Sequence, residues 1–354
     1  MSRQTRSITQ PRENCANLDV VIVGAGFAGM YMLHKCRQLG LSTRVFEVGK
    51  GVGGTWYWNR YPGARCDVES VQYSYQFDAE LEQEWTWSEK YSTQPEILRY
   101  ANHVADRFDL RDDIQFETRV ISAQYSEADK LWVLETDRNG KASSRYCVFA
   151  TGCLSSSNVP QFEGFETFKG LSYHTGRWPH EGVDFSGLRV GVIGTGSSAI
   201  QSIPEIAKEA SQLTVFQRTA NYTIPARNSK LTEDYISSIK ADYPGLRERA
   251  RNKPAGYDIP LNPQSVLEVG REDANNEFQR RWKLGGTQFL GAYGDLLLNP
   301  YANEVAADFV KSKIREIVSD PEIAELLCPT NIIGCRRLCV DTDYYATYNR
   351  KNVQ

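Results

Sequence analysis

Histidine is scarce in this chain, with four in 354 residues. His34, His103, His174 and His180 form no H-x-x-x-H pair that would set two imidazoles on one helical face for zinc, so no metal is expected. The eight cysteines (Cys15, Cys36, Cys66, Cys147, Cys153, Cys328, Cys335 and Cys339) include no C-x-x-C pair, and a chain this long needs no disulfide staples; all are expected as reduced thiols. No apolar run approaches the about 18 residues that cross a bilayer. The polar start MSRQTRSITQPRENC has none of the apolar stretch of a secretory signal, which points to the cytoplasm and away from membranes. A surplus of positive charge is also missing. With 41 basic against 44 acidic residues the net charge is −3, whereas a polyanion binder needs basic residues to displace counterions, so nucleic acid is not expected as a partner. A hydrolase nucleophile elbow G-x-S-x-G is absent, since the nearest text, Gly194-Thr-Gly-Ser-Ser-Ala199, does not fit it.

What is present is an ordinary globular composition, 41% hydrophobic and 24% charged, in a length that predicts two or three domains. Asp19-Val-Val-Ile-Val23 is a short run of mostly β-branched residues that breaks at Gly24-Ala-Gly-Phe-Ala-Gly29. Helical spacing follows from Phe27 to Leu39, Gly40 supplies a stop, and Thr43-Arg-Val-Phe-Glu47 reads as a second strand, completing a βαβ unit. Leu131–Thr136 and Arg145–Ala150 flank an Asn139-Gly140 turn, a hairpin signal. The first pattern then repeats: strand Arg189–Ile193, turn Gly194-Thr-Gly-Ser-Ser-Ala199, helix Ser197 to Ala210, strand Leu213–Gln217. From about Ser229 to Thr330 polar helical segments dominate, with an apolar stripe at Val305, Phe309, Ile314, Ile317 and Val318 and a capping signal at Ser319-Asp-Pro-Glu322.

Gly24-x-Gly26-x-x-Gly29 lies between strand and helix, the context that turns a weak motif into a dinucleotide fingerprint. Gly24 permits the turn, Gly26 lets backbone N–H groups approach a pyrophosphate at the helix N-terminus, and Gly29 allows helix and strand to pack. Glu47 ends the second strand, where a carboxylate accepts from ribose hydroxyls. The second unit has Gly194-x-Gly196-x-x-Ala199 and, in place of the acid, Arg218. A guanidinium pairs with a 2′-phosphate that a carboxylate would repel, so the second site is expected to take NADPH and the first an unphosphorylated dinucleotide; an ordinary surface arginine is the alternative for Arg218. Two such sites suggest a flavin reduced by a nicotinamide, because no side chain carries hydride chemistry.

Three further strings make the chain resemble the Baeyer–Villiger monooxygenases: Gly53-Gly54-Thr-Trp56-Tyr-Trp58-Asn-Arg-Tyr61-Pro-Gly63, Val148-Phe-Ala-Thr-Gly152, and Phe168-x-Gly170-x-x-x-His174-x-x-x-Trp178-Pro179. The resemblance runs from about Leu18 to the last residue. Related N- and S-oxygenating flavoproteins usually lack the Trp178-Pro179 ending. The fold it implies is α/β, with two Rossmann-like domains and a mainly helical insertion: residues 1–155 as the first part of an FAD domain, 156–225 as the first part of an NADP domain with the fingerprint linker, 226–332 as the insertion, and 333–354 as the return to the NADP domain. On the order of 150 residues of the family pattern, one domain's worth, do not appear in it.

The activity implied is FAD-, NADPH- and O2-dependent conversion of a small-molecule ketone to an ester or lactone through a C4a-peroxyflavin. N- or S-oxygenation, or nucleotide binding without turnover, are the alternatives. FAD would lie on Gly24, Gly26, Phe27, Gly29, Glu47, Gly54, Thr55, Trp56, Asp67, Tyr73 and Val120. NADP would lie on Gly194, Thr195, Gly196, Ser197, Ser198, Gln201, Arg218, Thr219 and Arg336, the last standing where the family commonly has lysine. Arg337, in Gly334-Cys-Arg-Arg-Leu338, is implied as the catalytic cation, oriented by Asp67 in Tyr61-Pro-Gly-Ala-Arg-Cys-Asp67. His174 is implied in coupling the cofactor domains, with a hydrogen-bonded hinge as its plain alternative. Phe168 and Trp178 are each expected to pack and Gly170 to permit a bend, and core packing is the plain reading of Trp58.

Overall fold

The computed structural model describes residues 14–154 and 156–354, with side chains from residue 17 onward. The polar start and the Cys15 side chain, on which two of the expectations above rest, lie outside the described residues. The chain divides into two compact units, residues 1–60 with 95–178 and residues 61–94 with 179–354. Residues 61–94 thus go with the later part of the chain, and the fingerprint up to Trp178 goes with the first unit.

The first unit is built on a six-stranded sheet of order β3-β2-β1-β6-β5-β4. Its strands are β1 (Asn14–Val23), β2 (Thr43–Phe46), β3 (Ile114–Gln115), β4 (Val120–Ser126), β5 (Leu131–Thr136) and β6 (Lys141–Phe149). The β-branched run of β1 is the centre, parallel to β2 with Val20 opposite Thr43 and parallel to β6 with Val20 opposite Tyr146. Alternation sorts its side chains. Val20 and Ile22 join Met30, Leu33 and Cys36 of the Phe27–Gln38 helix in one core, while Val21 packs with Phe46, Leu134 and Ala142 on the other face. Each such fully buried aliphatic contributes about 1.5–3 kcal/mol. The Asn139-Gly140 turn does join two antiparallel strands, β5 and β6.

The fingerprint follows expectation at Trp178, which is buried with its ring 5.6 Å from that of Tyr173, and departs from it at Phe168, which is 62% exposed. His174 Nδ1 accepts from the Gly176 N–H at 3.1 Å and caps the short turn Thr175–Arg177, a local hydrogen-bonded role.

In the second unit β7 (Arg189–Ile193) and β8 (Gln212–Phe216) are parallel, with Arg189 opposite Gln212, and the helix Ser197–Glu209 connects them. A second parallel pair, β9 (Thr223–Pro225) and β10 (Cys339–Asp341), joins the two ends of the helical stretch. That stretch is helical as expected, including Glu233–Ala241, Tyr243–Arg251, Arg271–Leu284, Pro300–Ile317 and Pro321–Leu327. One local detail differs. In Pro300–Ile317 the inward face is Ala302, Ala306, Phe309, Val310 and Ile314; of the expected stripe Phe309, Ile314 and Val318 are buried and only Val305, 39% exposed, lies off that face. The next helix opens within Ser319–Glu322 as expected, with Asp320 as the cap: its carboxylate accepts from the Glu322 and Ile323 N–H groups, and Pro321 occupies the first helical position, where no donor is lost.

Candidate functional site

The first glycine turn is packed to the limit. Gly24 sits at φ +104°, and a methyl there would lie 2.6 Å from the Ala150 oxygen; a methyl on Gly29 would lie 1.9 Å from the Gly24 oxygen. Only glycine fits either place. At Gly26, which begins the Phe27–Gln38 helix, no side chain caps the first turn, so its N–H groups suit an anion. Glu47 is 5% exposed, and its two oxygens accept from the Ala25 and Gly49 N–H groups, each at 2.7 Å. The carboxylate is therefore committed to the turn itself, and each oxygen keeps one further lone pair for a ribose hydroxyl. Phe27 is half-buried against Tyr100, Thr55 and Trp56 open the short helix that follows Gly54, and Val120 starts β4. Asp67 and Tyr73, expected with these on FAD, belong to the second unit.

The second turn has the same backbone plan and much more room. Gly194 is at φ +99°, yet a methyl on Gly194 or Gly196 would meet no described atom within 4 Å, and no side chain caps the helix that starts after Gly196. The Thr195 hydroxyl donates to the Thr219 carbonyl at 2.9 Å, which ties the turn to the end of β8 where Arg218 is exposed. Ser197 and Ser198 lie in the first helical turn, and Arg336 is exposed in the loop before β10. An open, uncapped helix N-terminus with a guanidinium at the next strand end has the donor set for a dinucleotide phosphate.

Gln201 stands apart from this group. It is 9% exposed, and its amide faces the chain segment at 61–65: Oε1 accepts from the Tyr61 hydroxyl at 3.0 Å and the Arg65 N–H at 3.4 Å, while Nε2 donates to the Arg65 carbonyl at 3.1 Å.

Asp67 and Arg337, 270 residues apart, form a two-point ion pair, Nε to Oδ2 at 2.6 Å and Nη2 to Oδ1 at 2.7 Å. The Asp67 side chain is 14% exposed and that of Arg337 69%, so the carboxylate is fixed in the protein and holds out a guanidinium with one face open. The Asp67 hydrogen bond raises the Arg337 pKa further, so its charge is permanent. Two thiols that sequence reasoning did not single out flank the pair. Burial pushes Cys66 up to about 12 and Cys339 to about 11, which keeps both neutral beside the charges. Burial likewise raises Tyr61. The arrangement presents a fixed cation, backed by an acid, to any oxygen that gains negative charge in front of it.

Residues 21–243 match the family model described as pyridine nucleotide-disulphide oxidoreductase. The chain belongs to that family. It is 43% identical over 341 residues to a Baeyer–Villiger monooxygenase of Pseudooceanicola batsensis, covering 96% of this chain and 62% of that protein. It is also 43% identical to phenazine N-monooxygenase PhzNO1 of Lysobacter antibioticus, over 95% of this chain and 62% of that one. Among solved structures, an oxidized steroid monooxygenase bound to NADP superposes with a TM-score of 0.93 at 55% identity, covering 96% of this chain and 65% of the other. This chain thus spans about 62% of the length of the curated relatives it matches. The resemblance read from the three motif strings and the α/β dinucleotide fold are both borne out. Among the described residues no helix is long and apolar enough to cross a membrane.

Proposed function

We propose that the protein is a ketone monooxygenase that uses FAD, NADPH and O2: ketone, O2, NADPH and a proton give ester or lactone, water and NADP⁺. The observation that carries this reading is the Asp67–Arg337 pair, because insertion of oxygen next to a carbonyl builds negative charge on the former carbonyl oxygen, and N- or S-oxygenation builds none there. The first glycine turn, with Glu47, would hold FAD through its pyrophosphate and ribose, and the second, with Arg218, Thr219 and Arg336, would hold NADPH. When bound, these groups supply hydride transfer and the activation of O2. Arg337 supplies the charge that meets the developing oxyanion, and Asp67 keeps the guanidinium aimed and spares it a search among rotamers. Residues 1–60 and 95–178 would then be the FAD part and 61–94 with 179–354 the NADP part, with the helical stretch as an insertion in the latter. The seven described free thiols suit a reducing, cytoplasmic setting.

The likeness to a phenazine N-monooxygenase favours a second reading, oxygenation at a ring nitrogen. Steady-state product analysis on Arg337→Ala separates the two. For a ketone monooxygenase, reduction of the flavin by NADPH persists, ester formation falls by about 100- to 1000-fold, and hydrogen peroxide appears in place of ester. Full ester yield in the variant removes the oxyanion role; an N-oxide made equally by wild type and variant assigns the second reading.

A further inference from the structure

The loop that carries Asp67 is held from two sides. Residues 64–66 run as an extended strip whose one edge pairs with residues 92–94: Cys66 N–H donates to the Ser92 carbonyl at 3.1 Å and Gln94 N–H to the Ala64 carbonyl at 2.8 Å. In an extended strip the N–H and C=O of the intervening residue point the opposite way. Those are the groups of Arg65, and the Gln201 side-chain amide takes both, accepting from its N–H and donating to its C=O. A single glutamine thus does for this edge what a neighbouring strand would do. The same glutamine accepts from Tyr61, and Gly63 lies against it so closely that a methyl there would be 2.3 Å from the Gln201 carbonyl oxygen. Gln201 itself is held by the Ser197–Glu209 helix, on the inward face that also buries Ile200, Ile203 and Pro204.

We propose that Gln201 is a positioning residue for the Asp67–Arg337 pair, acting by clamping Arg65 two residues before Asp67, and that it is not a ligand of the dinucleotide. The role in catalysis rests on the oxygenation reading above; the clamp does not. A buried amide whose donor and acceptor are both spent on one backbone residue has little left for a cofactor, and the Arg65 N–H and C=O would be orphaned without it. Its length also matters, since asparagine is one methylene too short to reach, and glutamate replaces the donor with an acceptor facing the Arg65 carbonyl.

The test is made on the whole chain with Gln201→Leu and Gln201→Glu, reading amide hydrogen exchange by mass spectrometry together with NADPH titration. The expected result is exchange at 61–67 faster by about ten-fold or more, unchanged exchange in β7 and β8, and an NADPH Kd within two-fold of wild type. Gln201→Glu, which keeps length and one acceptor, should fall between wild type and Gln201→Leu. Ester formed per NADPH should drop in Gln201→Leu, and the same substitution should change nothing further in Asp67→Asn, where the pair is already lost. Unchanged exchange at 61–67, or a weakened NADPH affinity with exchange intact, overturns the clamp. A wild-type chain that makes no ester counts against the oxygenation reading alone, because exchange decides the clamp without it.

Discussion

The two glycine turns share one sequence pattern and one backbone plan, and they differ in what crowds them. In the first, Gly24 and Gly29 are demanded by the protein's own atoms, the Ala150 and Gly24 carbonyl oxygens. In the second, alanine stands at the third position as Ala199 and the space over Gly194 and Gly196 is empty of described atoms. The acid that follows the first turn is buried and bound to backbone N–H groups, while the arginine that follows the second is exposed. A G-x-G-x-x-G string therefore mixes two kinds of requirement. Its outer glycines in the first turn serve strand–helix packing, and its middle glycine in either turn is needed by no neighbour and so reports on the ligand.

The comparison breaks if the two turns respond alike to substitution. Gly29→Ala should cost the most, about 3 kcal/mol or more, because the obstructing atom is backbone and cannot swing aside; urea denaturation followed by tryptophan fluorescence reads it. At the other end of the scale, Gly26→Ala and Gly196→Ala should change stability by under about 0.5 kcal/mol, since neither is at a positive φ and a methyl finds no contact below 3.5 Å. Each should nevertheless weaken its own dinucleotide, read by flavin retention for Gly26→Ala and by NADPH titration for Gly196→Ala. Equal stability losses at Gly29 and Gly196 would erase the distinction between the turns.

How much of this was legible beforehand depended on range. Six strands, the Phe27–Gln38 and Ser197–Glu209 helices and the hairpin follow from local periodicity and turn chemistry, and the structure has them within one or two residues, apart from longer starts to β1 and β6, while β3, β4, β9 and β10 were not read. The apolar stripe held at Phe309, Ile314 and Val318 and missed at Val305, which is exposed while Ala302 and Ala306 face inward. Phe168 misled as an apolar residue taken for a packed one. No local signal joins Asp67 to Arg337 across 270 residues; only the family resemblance did. Gln201 is implied among the cofactor residues by the family resemblance, and the clamp proposed above reads it differently. A polar residue between Ile200 and Ile203 on the buried face of a helix was itself a sign that its amide needs protein partners.

The most direct measurement is the affinity of wild type and Arg218→Ala for NADPH and NADH, by titration of nicotinamide fluorescence at one fixed ionic strength. One lost charge-assisted contact to a phosphate costs about 1.5–3 kcal/mol. NADPH affinity should therefore fall by about ten- to a hundred-fold while NADH affinity stays put. An equal loss for both cofactors, or no loss for either, would contradict the assignment of the second turn to NADPH and with it the division of labour between the two turns.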